Sequence, residues 1–333
     1  MPQFDTAFDW VRRNVDDGPL PSAVLGVATA EGVVALEAFG ATGGHAASVD
    51  DHYPLFSITK PILGLAALHL VEQGRLTPET PLTRAVPEFG TWRDDVVRLR
   101  HLVSHTSGIS EPPLDVPDGL RPSLLVPSRD FPAGAASRYS SIAFEGIAAL
   151  IEDASGAPWE RAVAKVGERA DAPGLTFDAD STPHLPVDVV EQGLDWAQFT
   201  SLRHPGAGLF ARAADLLAIG SALLRNDGSL VAPMTFEAMR RPLTAGLPKL
   251  EPYVESRGQD WGFTWNLRHS APGLLARDTF GHGGWAGTEF WITPSLDVCF
   301  VLLTNIGGGF GRFGVDGDEL HNAVAAADRS EHT

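Results

Sequence analysis

The amino-acid sequence predicts an α+β fold in which both ends of the chain build one antiparallel sheet and a mainly helical region is inserted between them. Runs of β-type residues occur near the amino end and again in the last third, whereas amphipathic helical segments fill the middle. A helical segment stands at each end as well. We expect residues 1–56 together with 255–333 to form the sheet region, and residues 57–254 the helical region, of a single unit.

The first segments predict a helix, a hairpin and a second helix, in that order. After an opening stretch with amphipathic helical spacing, two β-type runs between residues 22 and 40 are joined by a short turn at Ala30–Gly32. The second helix must begin close to Ser57, because Pro61 would clash with the carbonyl four residues earlier in a helix interior. Gly74 is expected to end this helix.

The middle of the chain predicts further helices separated by long loops. The segments SIAFEGIAALIEDASG and RAADLLAIGSALLRNDG are clearly helical in pattern. Residues 111–135 and 171–193 are loops rich in proline, aspartate and leucine. Because unstructured loops of this length are uncommon in compact proteins, we expect both to serve a function.

The last third predicts strands and then a terminal helix. The strand segments are WGFTWNLR, RDTFGHGG, TEFWITP and DVCFVLLTN, with a turn at Pro294–Asp297, and the helix is DGDELHNAVAAADR. Cys299, the single cysteine, lies in the last strand segment. We therefore expect it to be a buried core residue rather than a nucleophile, and no intramolecular disulfide is possible.

Composition and charge limit the kinds of molecule that this protein is expected to bind. The chain has 333 residues, of which 44% are hydrophobic, enough for a large core. Its formal net charge of −17 argues against nucleic acid or an anionic membrane surface as a partner. The amino end lacks the apolar run of a signal peptide, and no window approaches a membrane span. We expect a cytoplasmic protein that acts on a small molecule, with its oligomeric state left open.

The sequence contains no complete motif for a cofactor or a metal. Gly309, Gly311 and Gly314 match G-x-G-x-x-G superficially, yet no strand and ribose-binding acid follow them. There is no H-E-x-x-H, no cysteine pair and no clustered His/Asp set with zinc-site spacing. G-x-S-x-G is also absent, which disfavours an α/β-hydrolase. We expect neither a cofactor nor a metal.

A serine and a lysine stand on one face at the start of the apolar second helix. Ser57 and Lys60 are three residues apart, a spacing that places their Cβ atoms about 5–6 Å from one another on a helix. A serine hydroxyl needs a base to become a good nucleophile, and burial lowers the pKa of a lysine toward neutrality. The Ser57 amide, at the helix start, could also supply half of an oxyanion hole. The competing interpretation is a lysine that merely reaches solvent from a frayed helix end.

Five segments, in order along nearly the whole chain, resemble the serine β-lactamase-related family, which includes class C β-lactamases, penicillin-binding DD-peptidases and family VIII carboxylesterases. They are FSITKPILGLAALHLVEQGRLTPETPL, VRLRHLVSHTSGI, PAGAASRYSSIAFEGIAALIE, GAGLFARAADLLAIGSALL and FGHGGWAGTEFWITPSLDVCFVLLTN. The resemblance implies a β-lactamase/transpeptidase-like fold that forms one catalytic unit, with the active site between the sheet and the helical region.

The resemblance also implies catalytic elements. The first is Ser57 with Lys60, and the second is a Tyr-x-Asn element that is matched here by Tyr139 and Ser141. Beside Lys60 the Tyr139 anion would be favoured, so that it can relay the proton of Ser57. Ser141 in place of asparagine shortens the side chain that would help to hold the lysine and a substrate amide. His105, in the family landmark SHTSGI, is expected to be a structural, hydrogen-bonded histidine.

The third implied element is Lys-Thr-Gly in β-lactamases and His282-Gly283-Gly284 here. A histidine is mostly neutral at pH 7, so the fixed positive charge near a substrate carboxylate is missing unless Arg268 or Arg277 supplies it. The two glycines allow close approach of the strand, and the Trp285 amide would be the second oxyanion donor. The Trp285 side chain is a candidate for the wall of an apolar acyl pocket. Three further tryptophans could belong either to this pocket or to the core: Trp261, Trp265 and Trp291.

These residues favour a serine hydrolase that cleaves small carboxylic esters through an acyl-enzyme on Ser57, with Lys60 and Tyr139 as base. The alternatives are an amidase or peptidase for D-amino-acid substrates, or a weak β-lactamase. Further alternatives are an acyltransferase and a non-catalytic homologue that only binds ligands, although the intact set of three residues argues against the latter.

Overall fold

The computed structural model describes residues 2–253, 259–272 and 276–327, and its centre is an eight-stranded antiparallel sheet. The strands are β1 (Ser22–Thr29), β2 (Gly32–Thr42), β3 (His45–Ala46), β4 (Tyr53–Pro54), β5 (Phe210–Ala211), β6 (Asp260–Trp261), β7 (Asn266–Leu267), β8 (Phe280–Gly283), β9 (Glu289–Thr293) and β10 (Val298–Thr304). Across the sheet they run in the order β3-β2-β1-β10-β9-β8-β7-β6, so that the first and last long strands are neighbours at its centre. Strands β4 and β5 form a separate pair.

Ten α-helices lie in the described ranges. Two of them lie near the two ends of the chain, and the other eight come between β4 and β6 in the sequence. They are α1 (Asp5–Asp16), α2 (Thr59–Glu72), α3 (Leu99–Val103), α4 (Leu120–Leu124), α5 (Ala143–Ser155), α6 (Trp159–Ala170), α7 (Trp196–Ser201), α8 (Ala213–Arg225), α9 (Pro233–Met239) and α10 (Gly317–Ala325). No helix in this part of the chain has the length and hydropathy needed to cross a membrane.

Helices cover both faces of the sheet, which explains why β1 and β10 are apolar along nearly their whole length. On one face the terminal helices pack Trp10 and Leu320 against Leu25 and other residues of the central strands. On the other face α8 approaches so closely that a Cβ on Gly26 would lie 2.5 Å from Leu217 Cδ1. Each fully buried apolar side chain in these layers contributes about 1.5–3 kcal/mol.

Helix α2 runs through the interior and packs against helices α5 and α6. Residues 59–70 are all buried, which accounts for the apolar residues around its whole circumference. A Cβ on Gly64 would come within 1.9 Å of Thr264 Oγ1, so glycine lets the helix contact the β6–β7 turn. The helix that begins just after Ser57 is therefore enclosed by α5, α6 and the β6–β7 turn.

The α+β architecture and the order of the segments are confirmed, with two corrections. The expected 111–135 loop contains the short helix α4. The segment WGFTWNLR is not a single strand, because β6 and β7 are separated by a turn in which Thr264 has φ +67°. Cys299 is fully buried in β10, as expected, and burial raises its pKa to about 12. The terminal helix ends at Ala325, earlier than the expected segment, whereas the expected boundary at residues 254 and 255 lies outside the described residues.

Candidate active site

Ser57 lies in a single 3-10 turn, Phe56–Ile58, that leads directly into α2. The segment before it is fixed by two hydrogen bonds, since the Leu55 amide donates to the Leu209 carbonyl (2.9 Å) and the Thr288 hydroxyl donates to the Leu55 carbonyl (3.2 Å). Phe56 is fully buried at φ +45°, a backbone conformation that is unfavourable for a bulky residue. Strain of this kind is held by its surroundings and is common beside functional residues.

Lys60, one turn later, is fully buried and reaches Ser57. Its Nζ atom lies 3.1 Å from Ser57 Oγ, 3.1 Å from Ser141 Oγ and 2.8 Å from the Gly206 carbonyl oxygen. Burial lowers the pKa of this amine to about 7, while the charge of Glu111 opposes that shift. A large fraction of Lys60 is therefore uncharged near neutral pH.

The ammonium form of Lys60 donates one N–H to each of its three oxygen neighbours. The neutral amine fits the same positions. The Gly206 carbonyl can only accept, so it takes one N–H, and the Ser141 hydroxyl can accept the second. The remaining lone pair then faces Ser57 Oγ, which can donate its own proton to Nζ. The geometry thus fits an amine poised to take the Ser57 proton.

Tyr139 closes the cluster on the other side of the serine. Its hydroxyl is hydrogen-bonded to Ser57, and its ring lies 4.7 Å from Lys60 Nζ. The expectation that its anion is favoured is wrong for this site, because burial raises the pKa of Tyr139 well above its usual value. Tyr139 is therefore a phenol at neutral pH.

His105 supports the tyrosine rather than the reacting atoms. Its ring stacks on Tyr139 with centroids 4.5 Å apart, and its Nδ1 accepts a hydrogen bond from the Ser140 amide. Burial lowers the pKa of His105 well below its usual value, so the ring is neutral. The expected structural histidine is found here, and it adopts φ +58° to hold this position.

Glu111 is a site residue that the sequence did not identify. Its carboxylate accepts hydrogen bonds from the amides of Ser141 (2.7 Å) and Ile142 (3.1 Å), at the start of α5. A negative charge at a helix start is favourable, and here it also acts on Lys60 and Tyr139. The only available signal was its position in the 111–135 loop, which was expected to be functional.

The His282–Trp285 segment lies at the end of β8 and faces the same site. A Cβ on Gly284 would meet the Leu55 carbonyl oxygen at 2.4 Å, so glycine permits β8 to approach the segment that carries Ser57. His282 is buried, its Nδ1 donates to the Gly283 carbonyl (2.6 Å), and burial lowers its pKa to about 3. The neutral imidazole that was expected is confirmed.

A cavity of about 460 Å³ adjoins Tyr139 and the β8 segment. Its charged lining side chains are Arg268, Glu289, Asp316 and Asp318. Arg268 is ion-paired with Asp318 at 3.0 Å, so its charge is already compensated. The other cation considered, Arg277, donates to the carbonyl oxygens of two loop residues instead. The cavity is therefore acidic on balance.

Four buried polar atoms in the cavity lining have no hydrogen-bond partner among the described residues. They are His282 Nε2, Arg268 Nε, Asn266 Oδ1 and Trp261 Nε1. Because buried polar groups are nearly always satisfied, this lining is suited to a ligand or water with hydrogen-bonding groups. The cavity is thus polar, in contrast to the apolar pocket considered from the tryptophans.

The four tryptophans divide between the site and the core. Trp265 is fully buried beside Phe280 and is a core residue. Trp261 lies under the His282 and Tyr139 rings, and Trp291 lines the outer cavity. An apolar patch does lie around Phe56, next to Ser57, and its half-buried members are Leu114, Val189, Trp196 and Trp285.

The family is shown by comparison with known proteins. A profile described as Beta-lactamase matches residues 8–325, nearly the whole chain. The chain belongs to the beta-lactamase family. It is accordingly a serine hydrolase, and the β-lactamase and penicillin-binding protein type of fold is the one described above.

Individual relatives include esterases. Esterase EstB from Burkholderia gladioli is 28% identical over 313 residues, which covers 77% of this chain and 78% of EstB. The solved structure of EstCE1, described as a hydrolase with promiscuous acyltransferase activity, has a TM-score of 0.79 at 20% identity, with 98% and 99% of the two chains covered. A family VIII carboxylesterase structure has a TM-score of 0.78 at 19% identity, with 98% of each chain covered.

Proposed function

We propose that this serine hydrolase cleaves small carboxylic esters, with Ser57 as nucleophile and Lys60 as its base. The proposal is carried by Lys60 Nζ, which lies 3.1 Å from Ser57 Oγ and whose pKa is lowered to about 7 by burial. A base must lie within hydrogen-bond reach and titrate near the working pH, and this amine meets both requirements. The similarity to EstB supports the ester class.

In the acylation step, Ser57 Oγ bonds to the substrate carbonyl carbon while its proton passes to Lys60 Nζ. The oxyanion accepts hydrogen bonds from the amides of Ser57, at the helix start, and Trp285, after β8. Tyr139 then gives its phenolic proton to the departing alkoxide, and the Lys60 ammonium returns a proton to Tyr139. The products of this step are the free alcohol and the acyl-enzyme.

Deacylation uses the same groups with water in place of the alcohol. A water molecule attacks the acyl carbon while Lys60 takes its proton, and the Ser57–acyl bond breaks. Ser57 regains a proton from the Lys60–Tyr139 pair, and the carboxylic acid leaves. Tyr139 suits the role of proton donor because burial raises its pKa, so the phenol stays protonated until a basic alkoxide forms beside it.

The electrostatics of the cleft favour neutral esters over substrates that carry a carboxylate. His282 is neutral, Arg268 is paired with Asp318, and Glu289 and Asp316 add negative charge to the adjoining cavity. A β-lactam or a peptide carboxyl terminus would bring an anion beside these groups, and the described lining residues include no free cation to bind it. The apolar patch beside Ser57 offers space for a short or medium acyl chain.

We expect clear hydrolysis of short-to-medium acyl p-nitrophenyl esters and at most trace turnover of β-lactams. The test is a side-by-side measurement of kcat/KM for an acyl-length series, a chromogenic cephalosporin and a D-amino-acid anilide. A Ser57→Ala variant supplies the background of uncatalysed hydrolysis. A cephalosporin or D-amino-acid anilide value that equals or exceeds that of the best ester would replace the ester proposal by the lactamase or peptidase alternative.

A second expectation concerns pH and Glu111. Because only neutral Lys60 can accept the proton, kcat/KM should rise with pH through a midpoint near 7. The Glu111 charge raises the pKa of Lys60, so Glu111→Gln, which keeps an acceptor oxygen for the two amides, should move this midpoint to lower pH. Glu168→Gln, on the exposed face of α6, is the matched control. An unchanged midpoint in Glu111→Gln would show that the carboxylate does not act on the base.

A further inference from the structure

Two histidines and an aspartate from distant parts of the chain converge away from the Ser57 cluster. They are His45 in β3, Asp51 just before β4, and His184 in the long 171–193 loop. His45 Nε2 lies 3.0 Å and His184 Nε2 lies 2.8 Å from the same Asp51 oxygen. One ligand atom from each residue lies within 4.8 Å of the others.

We propose that His45, Asp51 and His184 bind a divalent transition-metal ion, with zinc as the best match. Imidazole nitrogen and carboxylate oxygen bind Zn²⁺ at about 2.0–2.2 Å, which places the ligand atoms of a tetrahedral site roughly 3.3 Å apart. The two distances to Asp51 are therefore within a few tenths of an ångström of those needed. Two histidines with one carboxylate are a borderline-soft set that suits zinc better than calcium or magnesium.

The surroundings of His184 fit a metal ligand, because its other ring nitrogen has a hydrogen-bond partner. His184 Nδ1 lies 3.2 Å from Ser22 Oγ, and the ring stacks on Tyr53 with centroids 4.1 Å apart. Ser22 Oγ also accepts from the Tyr53 and Thr42 hydroxyls. Because the Asp51 carboxylate can only accept, His184 Nε2 carries the proton of their contact when no ion is bound, and a bound ion would take the place of that proton.

Two of the three proposed ligands are mostly buried, and the third is open to solvent. The His184 side chain is fully buried and the Asp51 side chain is 14% exposed, whereas that of His45 is 47% exposed and offers an entry path. The Ser48 amide donates to the same Asp51 oxygen at 2.8 Å, which fixes the orientation of the carboxylate. A bound ion would tie the 171–193 loop to the strand segment that leads to Ser57.

The sequence did not suggest this site, because its ligands lack the local spacing of a zinc motif. His45 and Asp51 are six residues apart, and 133 positions separate Asp51 from His184. Only the packing of the 171–193 loop against β4 and the central sheet brings them together. The expectation of no metal therefore rested on sequence spacing alone.

Zinc titration into chelator-treated full-length protein, followed by calorimetry, tests the site. We expect one Zn²⁺ per chain with micromolar or tighter affinity, and weakening by more than about 10-fold in His45→Gln. His45 is half exposed, so this variant should fold normally, and its thermal unfolding without metal checks that. His269→Gln, at another exposed histidine that lies beside an aspartate, is the matched control and should bind zinc like the wild type.

Cobalt(II) provides an independent readout of geometry, since a tetrahedral nitrogen–oxygen site gives intense visible absorption bands. We expect these bands in the wild type and in His269→Gln, but not in His45→Gln. Absence of one-to-one zinc binding, equal affinity in His45→Gln, or equal losses in both histidine variants would each overturn the proposal. The ester assay is not needed for any of these outcomes.

Discussion

Replacing Ser57 by alanine should reduce ester turnover by several orders of magnitude, up to about the 10⁶-fold loss seen when a serine nucleophile is removed from another hydrolase. The variant deletes one hydroxyl from a half-buried position, so the fold should survive. The reason for the loss is chemical: without Oγ no acyl-enzyme forms, and the Lys60 amine has no proton to take from it. Steady-state kinetics on the best ester, with thermal unfolding as a check, measures the effect.

Covalent labelling tests the same assignment without a substrate. A fluorophosphonate probe should modify wild-type protein on Ser57, as read by peptide mass spectrometry, and should leave Ser57→Ala unlabelled. Ser201→Ala, on the exposed end of α7, serves as the matched control and should be labelled like the wild type. Label on a different serine, or near-normal turnover in Ser57→Ala, would contradict the assigned nucleophile.

The parts of the fold and the site that could be predicted are those encoded locally or by family resemblance. The start of α2 that was predicted from Pro61 is confirmed. The contact predicted from the Ser57–Lys60 spacing is found, with 3.1 Å between Nζ and Oγ. Tyr139 and the β8 segment came from resemblance, not from spacing. The roles assigned to these residues are proposals, whereas their proximity is an observed feature of the structure.

The parts that could not be predicted depend on packing between distant segments. Glu111 reaches the site only because its loop folds against the start of α5, and no local pattern marks it. The protonation of Tyr139 depended on how deeply it is buried, which one sequence does not reveal. The same limit applies to the β6–β7 turn, where an apolar run conceals a change of direction at Thr264.

A double-mutant cycle on Lys60 and Tyr139 tests whether they form one proton path. Lys60→Ala and Tyr139→Phe should each slow acylation by about 10²–10⁴-fold, the usual value of general acid–base help. Because both residues contact Ser57 and serve one proton path, the double variant should be little slower than the slower single variant. Single-turnover kinetics on an alkyl ester, whose alkoxide leaving group needs the Tyr139 proton, isolates the acylation step.

Two further measurements separate catalysis from loss of structure in this cycle. Lys60→Met fills the buried site with an apolar chain of similar length, so it should fold at least as well as Lys60→Ala and be equally slow. Residual activity in both Lys60 variants should lose the pH midpoint near 7, because the titrating amine is gone. A double variant slowed by the product of two large single losses would mean that Lys60 and Tyr139 act independently. A retained midpoint near 7 would mean that another group is the base, and either result would refute the proton path through Lys60.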